Sequence, residues 1–357
     1  MYPPETTASR RLQIIHPCSF YCTTSVKCLR PVGSKNFRLY SSHKNVTIKE
    51  IHYRRNSIVP QRHYLRGYLC AGGGAVIWGL TGTAGQYLLH HYTIDSFWIS
   101  SVRLIGAGLF LMLMAAPHYR AMKDMLKIRR NVILLLCYSI FGLLMSQTAF
   151  YTTIQYANAG TAAVLQTLCV VMMAVIVCFR GHRLPTRAET LSVFLALAGV
   201  FLIATNGDPS TMVLSSKALM WGLITAVASV CYSFLAQDLV WHWGSITVNA
   251  LGMFIGGVVF CCFLQPWTIP TDLDMTGYLL LAAVVLIGTV LTYNLFLRGV
   301  GDIGPVKATL LGTLEPVTSS IASAVFLGTV FYLPELIGFA CILATVFLVT
   351  LQRRQPA

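Results

Sequence analysis

The sequence predicts an all-α integral membrane protein with ten transmembrane helices, built as two inverted five-helix repeats. Three observations carry this expectation. The chain of 357 residues is 55% hydrophobic and only 11% charged, with a mean hydropathy of +0.66. A soluble domain carries about 25% charge, so most of this chain is suited to lipid. Apolar segments of bilayer-spanning length follow one another from Gly67 to Leu351. Short stretches also recur at one fixed offset.

Residues 1–66 stand apart. They hold twelve Lys and Arg against only Glu5 and Glu50, which is +10 of the formal +14 charge. The basic charge therefore belongs to a leader and not to a nucleic-acid-binding surface, and no nucleic-acid partner is expected. Three readings stay open for it. It is a disordered tail held near anionic lipid by its charge, or a transit peptide, which an acid-poor, Arg- and Ser-rich composition suits, or a stretch upstream of the true translation start. The leader is expected to be dispensable. Cys18, Cys22 and Cys28 lie in this leader without zinc-site spacing, so no metal site is expected. The other eight cysteines fall in apolar segments, where cysteine behaves as a small hydrophobe.

The apolar segments are 68–89, 96–116, 132–152, 159–179, 190–205, 218–239, 246–265, 276–297, 305–327 and 336–351. About 20 helical residues at 1.5 Å each cross the roughly 30 Å hydrocarbon core. The fifth is among the shortest, and its start lies nearer Thr186 if the helix reaches back. Connecting charge tests the count. With the N-terminus cytoplasmic, the inner positions hold Arg120, Lys123, Lys127, Arg129, Arg130, Arg180, Arg183, Arg187, Arg298, Lys307, Arg353 and Arg354, and the outer positions hold Lys217 alone. That bias predicts cytoplasmic N- and C-termini in a cell membrane protein. Trp98, Trp221 and Trp267 mark outer ends, as an aromatic belt requires.

Thr167-Leu168-Cys169-Val170 matches Thr313-Leu314-Glu315-Pro316, and Leu197-Ala198-Gly199-Val200-Phe201-Leu202 matches Leu343-Ala344-Thr345-Val346-Phe347-Leu348, both at an offset of 146. Five segments per copy is an odd number, so the second copy enters the membrane upside down. Two repeats follow, 67–206 and 207–354. Inverted repeats are a common design of secondary transporters, with the binding site at the midplane between the copies.

Glu315 and Pro316 fall inside the ninth apolar segment. An ionised side chain at the bilayer centre costs about 2.5–3.5 kcal/mol on insertion scales, so such residues face protein or a wet cavity. Pro316 removes a backbone donor and kinks the helix. Glu315 reads as a substrate contact or a proton-titrating group; the plainer reading is a carboxyl satisfied by Thr313 or Ser319. Arg103 is the strongly basic residue within a span, suited to an acid, an anionic substrate group or a structural role. Gln147 and Tyr151 are four apart and share a helix face, and Tyr293 and Asn294 fall at the matching place, 146 residues after Gln147. Trp78, Gln86, Gln166 and Tyr232 add aromatic and amide groups. Together with Thr313 these could line a polar pathway, against the alternative of ordinary interhelical hydrogen bonds.

The span 67–354 resembles the EamA-type members of the drug/metabolite transporter superfamily. The matching features are Ala75-Val76-Ile77-Trp78-Gly79, Val102-Arg103-Leu104, Ala157-Asn158-Ala159-Gly160-Thr161-Ala162-Ala163 and, most sharply, Leu311-Gly312-Thr313-Leu314-Glu315-Pro316-Val317. The resemblance implies a ten-helix carrier with a central cavity that moves a small polar metabolite or amino-acid-like solute by alternating access, commonly outward, with protons as a candidate coupling ion and no cofactor. Where Val170 stands the family usually has proline, so the fourth helix is expected to be the straighter one. The rival classes are a channel-like or facilitative pore and an intramembrane enzyme. No Gly-x-Ser-x-Gly or His-Glu-x-x-His motif is present, and a lone carboxylate does not make an acid–base pair.

Overall fold

The computed structural model describes residues 30–31, 37–39, 46–47, 61–181, 184–208, 212–303 and 305–352. Cys18, Cys22 and Cys28, His182, Arg183, Arg353 and Arg354 lie outside the described residues, as does most of the leader. Residues 1–59 form a separate unit. Its described residues are three short antiparallel strands, β1 (Arg30–Pro31), β2 (Phe37–Leu39) and β3 (Val46–Thr47), with Arg38 opposite Arg30 on one side and Thr47 on the other. The sequence had no alternation to announce them.

Among the described residues from 61 onward every regular element is helical. Long helices are α1 (Gln61–His91), α2 (Ser96–Met114), α3 (Arg129–Tyr156), α4 (Ala159–Arg180), α5 (Arg187–Thr205), α6 (Ser216–Trp243), α7 (Ser245–Leu264), α8 (Met275–Val300), α9 (Lys307–Leu327) and α10 (Leu333–Gln352). Eight of them are long and apolar enough to cross a membrane, and a shorter apolar stretch, Leu333–Val349, lies in α10. The helix starts follow from their caps. Asp95 accepts from Trp98 N–H at 2.7 Å, Asn158 from Thr161 N–H at 2.8 Å, Ser215 from Ala218 N–H at 3.1 Å and Asp274 from Gly277 N–H at 2.7 Å. Each satisfies a backbone donor that the first helical turn leaves free. Thr186 and Glu189 form a reciprocal capping box, which draws the start of α5 back to Arg187. Between α2 and α3 the chain makes a short helix, Tyr119–Leu126, that buries Met122 and Met125 and exposes Arg120 and Lys123.

The helices pack in a two-fold pattern. α2 lies against α7, α4 against α9 and α5 against α10; α1 packs on α8 and α9, and α6 packs on α3 and α4. Exchanging each helix for the one five places along leaves that pattern unchanged. The α2–α7 crossing illustrates it at atomic scale. A Cβ on Gly108 would stand 2.6 Å from Phe254 N, and one on Gly257 would stand 2.6 Å from Ile105 N. Gly257 follows Gly108 by 149 residues and Phe254 follows Ile105 by the same 149, so one close backbone approach is made twice.

Hydrogen bonds on one face fix the running directions. Thr93 N–H, past the end of α1, donates to Asp272 before α8 at 2.9 Å. Ser96 N–H, starting α2, donates to Gln155 at the end of α3 at 3.1 Å, and Trp98 Nε1 donates to Pro266 O past α7 at 3.1 Å. Lys217 at the start of α6 sits 5.3 Å from the Tyr156 ring at the end of α3. Thr161 at the start of α4 donates to Glu335 at the start of α10 at 3.0 Å. The connections gathered here, 92–95, 157–158, 206–215, 265–274 and 328–332, hold no Lys or Arg. This is the cation-poor face. The short helix with Arg120 and Lys123 belongs to the opposite, cation-rich face.

Candidate functional site

Two helices break their regular winding near the middle. α3 is π-helical over Tyr138–Leu144 and α8 over Leu286–Leu291. A π-turn shifts backbone pairing from the fourth to the fifth residue and frees carbonyls for other donors. Gly142 and Gly288, 146 apart, sit in these turns. A Cβ on Gly142 would lie 3.0 Å from Tyr232 Cα on α6, and one on Gly288 would lie 2.6 Å from Thr81 Oγ1 on α1. The turns therefore press α3 onto α6 and α8 onto α1. α9 has its own break at Thr313, between Pro305–Gly312 and Leu314–Leu327. Pro316 offers no N–H to Gly312 O, which lies four residues back, and its ring crowds that turn. α4 has Val170 instead and is unbroken from Ala159 to Arg180.

Between these helices lies a cavity of about 260 Å³. Arg103 on α2 and Glu315 on α9 both face it. So do Trp78, Gln147, Gln166, Tyr232 and Tyr293, together with Thr81, Gly82, Ser146, Phe150, Phe296 and Leu297, which sequence reasoning did not single out. Phe150 and Phe296 are 146 apart, so the repeat offset that pairs Gln147 with Tyr293 would have found them. Trp78 meets Tyr293 edge-on at 5.3 Å and Phe296 at 5.2 Å, forming an aromatic wall.

Arg103 is 7% exposed. Its Nε donates to Thr289 Oγ1 and its Nη1 to Tyr151 Oη, each at 2.8 Å, and its Nη2 reaches Gly288 O at 3.5 Å. Hydrogen bonds to a charged group contribute about 1.5–3 kcal/mol each, so the two short ones are enough to offset the roughly 2.5–3.5 kcal/mol penalty of placing an arginine in a span. The fork has five N–H donors, and two of them meet no acceptor among the described residues. Among the described residues Glu315 makes no ion pair with Arg103 and takes no protein hydrogen bond. Thr313 donates instead to Leu310 O at 2.7 Å, and the buried Ser319 hydroxyl has no partner. The cavity therefore presents a fixed cation and an open carboxyl on different helices, between aromatic rings.

Four sequence candidates stand elsewhere. Tyr151 is fully buried behind Arg103 and holds its guanidinium, which also stacks over the Tyr151 ring at 5.4 Å. Asn294 turns back on its own helix, donating to Val290 O at 2.7 Å. Thr313 marks the α9 break. Gln86 is buried at the cation-poor end of α1, where its amide accepts from Ala159 N–H at 2.8 Å.

Antiparallel apolar helices closed around a small cavity with a desolvated arginine and an open carboxyl are the build of a membrane solute carrier. The sequence pattern of the EamA-like transporter family matches residues 65–205 and again 216–351, and the chain belongs to that family of membrane transporters. It is 33% identical over 285 residues to a protein named "Uncharacterized inner membrane transporter YicL" of Salmonella typhimurium, covering 79% of this chain and 94% of that one. It is 21% identical to "Uncharacterized transporter YetK" of Bacillus subtilis over 81% of this chain and 88% of the relative. A solved structure titled only "Crystal structure of protein" shares the fold, with a TM-score of 0.53 at 13% identity over 81% of this chain and 99% of that chain.

Proposed function

We propose that this protein is a secondary transporter that exports a small zwitterionic, amino-acid-like solute across the cell membrane by alternating access. The observation that carries the reading is the pairing of Arg103 and Glu315 in one cavity without a bond between them. A carboxylate on the solute meets the free donors of Arg103, and an ammonium meets Glu315. Trp78, Tyr232 and Tyr293 offer ring faces to the solute body. A volume of about 260 Å³ falls below the roughly 300–1,000 Å³ of pockets for drug-sized ligands, which suits a small metabolite. Glu315 also serves as the acceptor of a coupling proton when the solute has left.

Ten crossings in two inverted repeats, 67–206 and 207–354, are part of the proposal. Support comes from the junctions on the cation-poor face, from the two-fold packing and from the two family matches. The positive-inside rule places the cation-rich face, with both termini, in the cytoplasm.

Flux in reconstituted vesicles tests the reading. Zwitterion transport should saturate and show counterflow. Glu315→Gln should cut it at least tenfold and abolish its dependence on a pH gradient, with the purified protein still monodisperse. Unaltered, equally pH-dependent flux in that variant would remove Glu315 from the mechanism, and non-saturating conductance would make the protein a channel.

A further inference from the structure

Gln86 does not line the cavity, yet its amide makes three hydrogen bonds on the cation-poor face. Its Oε1 accepts from Ala159 N–H at 2.8 Å and from Ser323 Oγ at 3.0 Å, and its Nε2 donates to Thr329 Oγ1 at 3.3 Å. Thr83, one turn back on α1, donates to Ser319 O at 3.3 Å. One side chain on α1 thus ties the first N–H of α4 to the last turn of α9 and to the residues beyond it. α4 and α9 are the pair that the two-fold pattern relates to each other, one from each repeat. A cavity cannot open on this face unless the start of α4 leaves the end of α9.

The opposite end of the same helix pair cannot build this junction. At the 146-residue offset Ala159 corresponds to Pro305, which has no backbone N–H, and Ser323 corresponds to Val177, which has no hydroxyl. The two strongest bonds to Gln86 thus have no counterpart. The Gln86 junction is therefore peculiar to the cation-poor end of the α4–α9 pair.

We propose that Gln86 is the positioning residue of the gate on the cation-poor face, and that its bonds hold the resting carrier closed on that face while the cavity is reached from the cation-rich face. The inference rests on the alternating-access reading but on no assumption about the solute or Glu315. A modest bond at each of three partners makes the open state a minor population that loss of the amide raises roughly tenfold.

The test uses the full chain with Gln147→Cys as a cavity reporter, and the chain without that change as the background for native thiols. A membrane-impermeant cationic thiol reagent is applied to right-side-out and to inverted vesicles. With Gln86 intact, labelling should be fast from the cation-rich face and slow from the cation-poor face. Gln86→Leu should raise the slow rate about tenfold and lower the fast one. Ser323→Ala, which removes a single donor from Oε1, should shift both rates in the same directions by less; it decides the matter if Gln86→Leu does not accumulate. Unchanged rates, or rates that rise equally from both faces as in a loosened bundle, would overturn the proposal. Labelling needs no substrate, so lost flux in Glu315→Gln with normal gate labelling would leave this inference standing, and the reverse result would leave the transport reading standing.

Discussion

Arg103 is held by geometry as much as by charge. Thr289 and Tyr151 receive two N–H groups of one planar fork, an arrangement that a lysine ammonium on a flexible stem does not reproduce. Arg103→Lys keeps the positive charge but releases its aim. The Michaelis constant for a carboxylate-bearing solute should rise at least tenfold, with a smaller change in maximal flux, measured by initial uptake rates in vesicles. Tyr151→Phe should move the same constant in the same direction by less. The sequence marked both residues because polar and charged groups inside apolar segments are rare. It could not separate the one that faces the cavity from the one that orients it, since both sit on polar helix faces.

At the scale of elements, α1 and α8 are joined along their whole length. Arg66 pairs with Asp302 at 2.8 Å near one end, Gly299 packs on Ala71, Gly288 on Thr81, and the Tyr92 hydroxyl donates to Asp274 at the other end. The two helices should move as one body. The far tie is pH-sensitive. The Thr93 backbone N–H holds the Asp272 carboxyl below its usual range, the Tyr92 hydroxyl does the same for Asp274, and the Asp274 bond pushes the Tyr92 phenol up to about 12. Carboxyls depressed in the folded state contribute fully above their unfolded value of about 3.9, and that contribution fades as pH falls through the folded values. Amide exchange at Tyr92 and Thr93, corrected for intrinsic rates, should therefore be faster at pH 3 than at pH 7; equal protection would show the tie to be idle. The length of the apolar runs located most of the long helices to within a few residues, while α1 starts earlier, at Gln61. The same lengths missed the π-turns of α3 and α8, because a π-turn has the same composition as the α-helix around it and forms in response to what the helix packs against.

For the whole molecule, residues 1–59 and 60–357 are separate compact units, and the cavity lies wholly in the second. Deleting residues 1–59 should leave the transport rate per folded molecule within twofold, checked by flux normalised to purified protein; a large loss at normal expression would give the leader a part in activity. The all-helical, membrane-embedded class and the repeat at 146 residues were legible in the sequence, because lipid demands long apolar runs and duplication leaves a fixed offset. Arg103 and Glu315 stood out in the sequence because a charge inside such a run is costly, and both line the cavity. Tertiary structure alone decided that these two charges share a cavity without pairing, and that Gln86 belongs to a junction of α1, α4 and α9. Those outcomes depend on which turn of each helix meets its neighbour, and helix contacts are set by packing across the bundle, far apart in the chain.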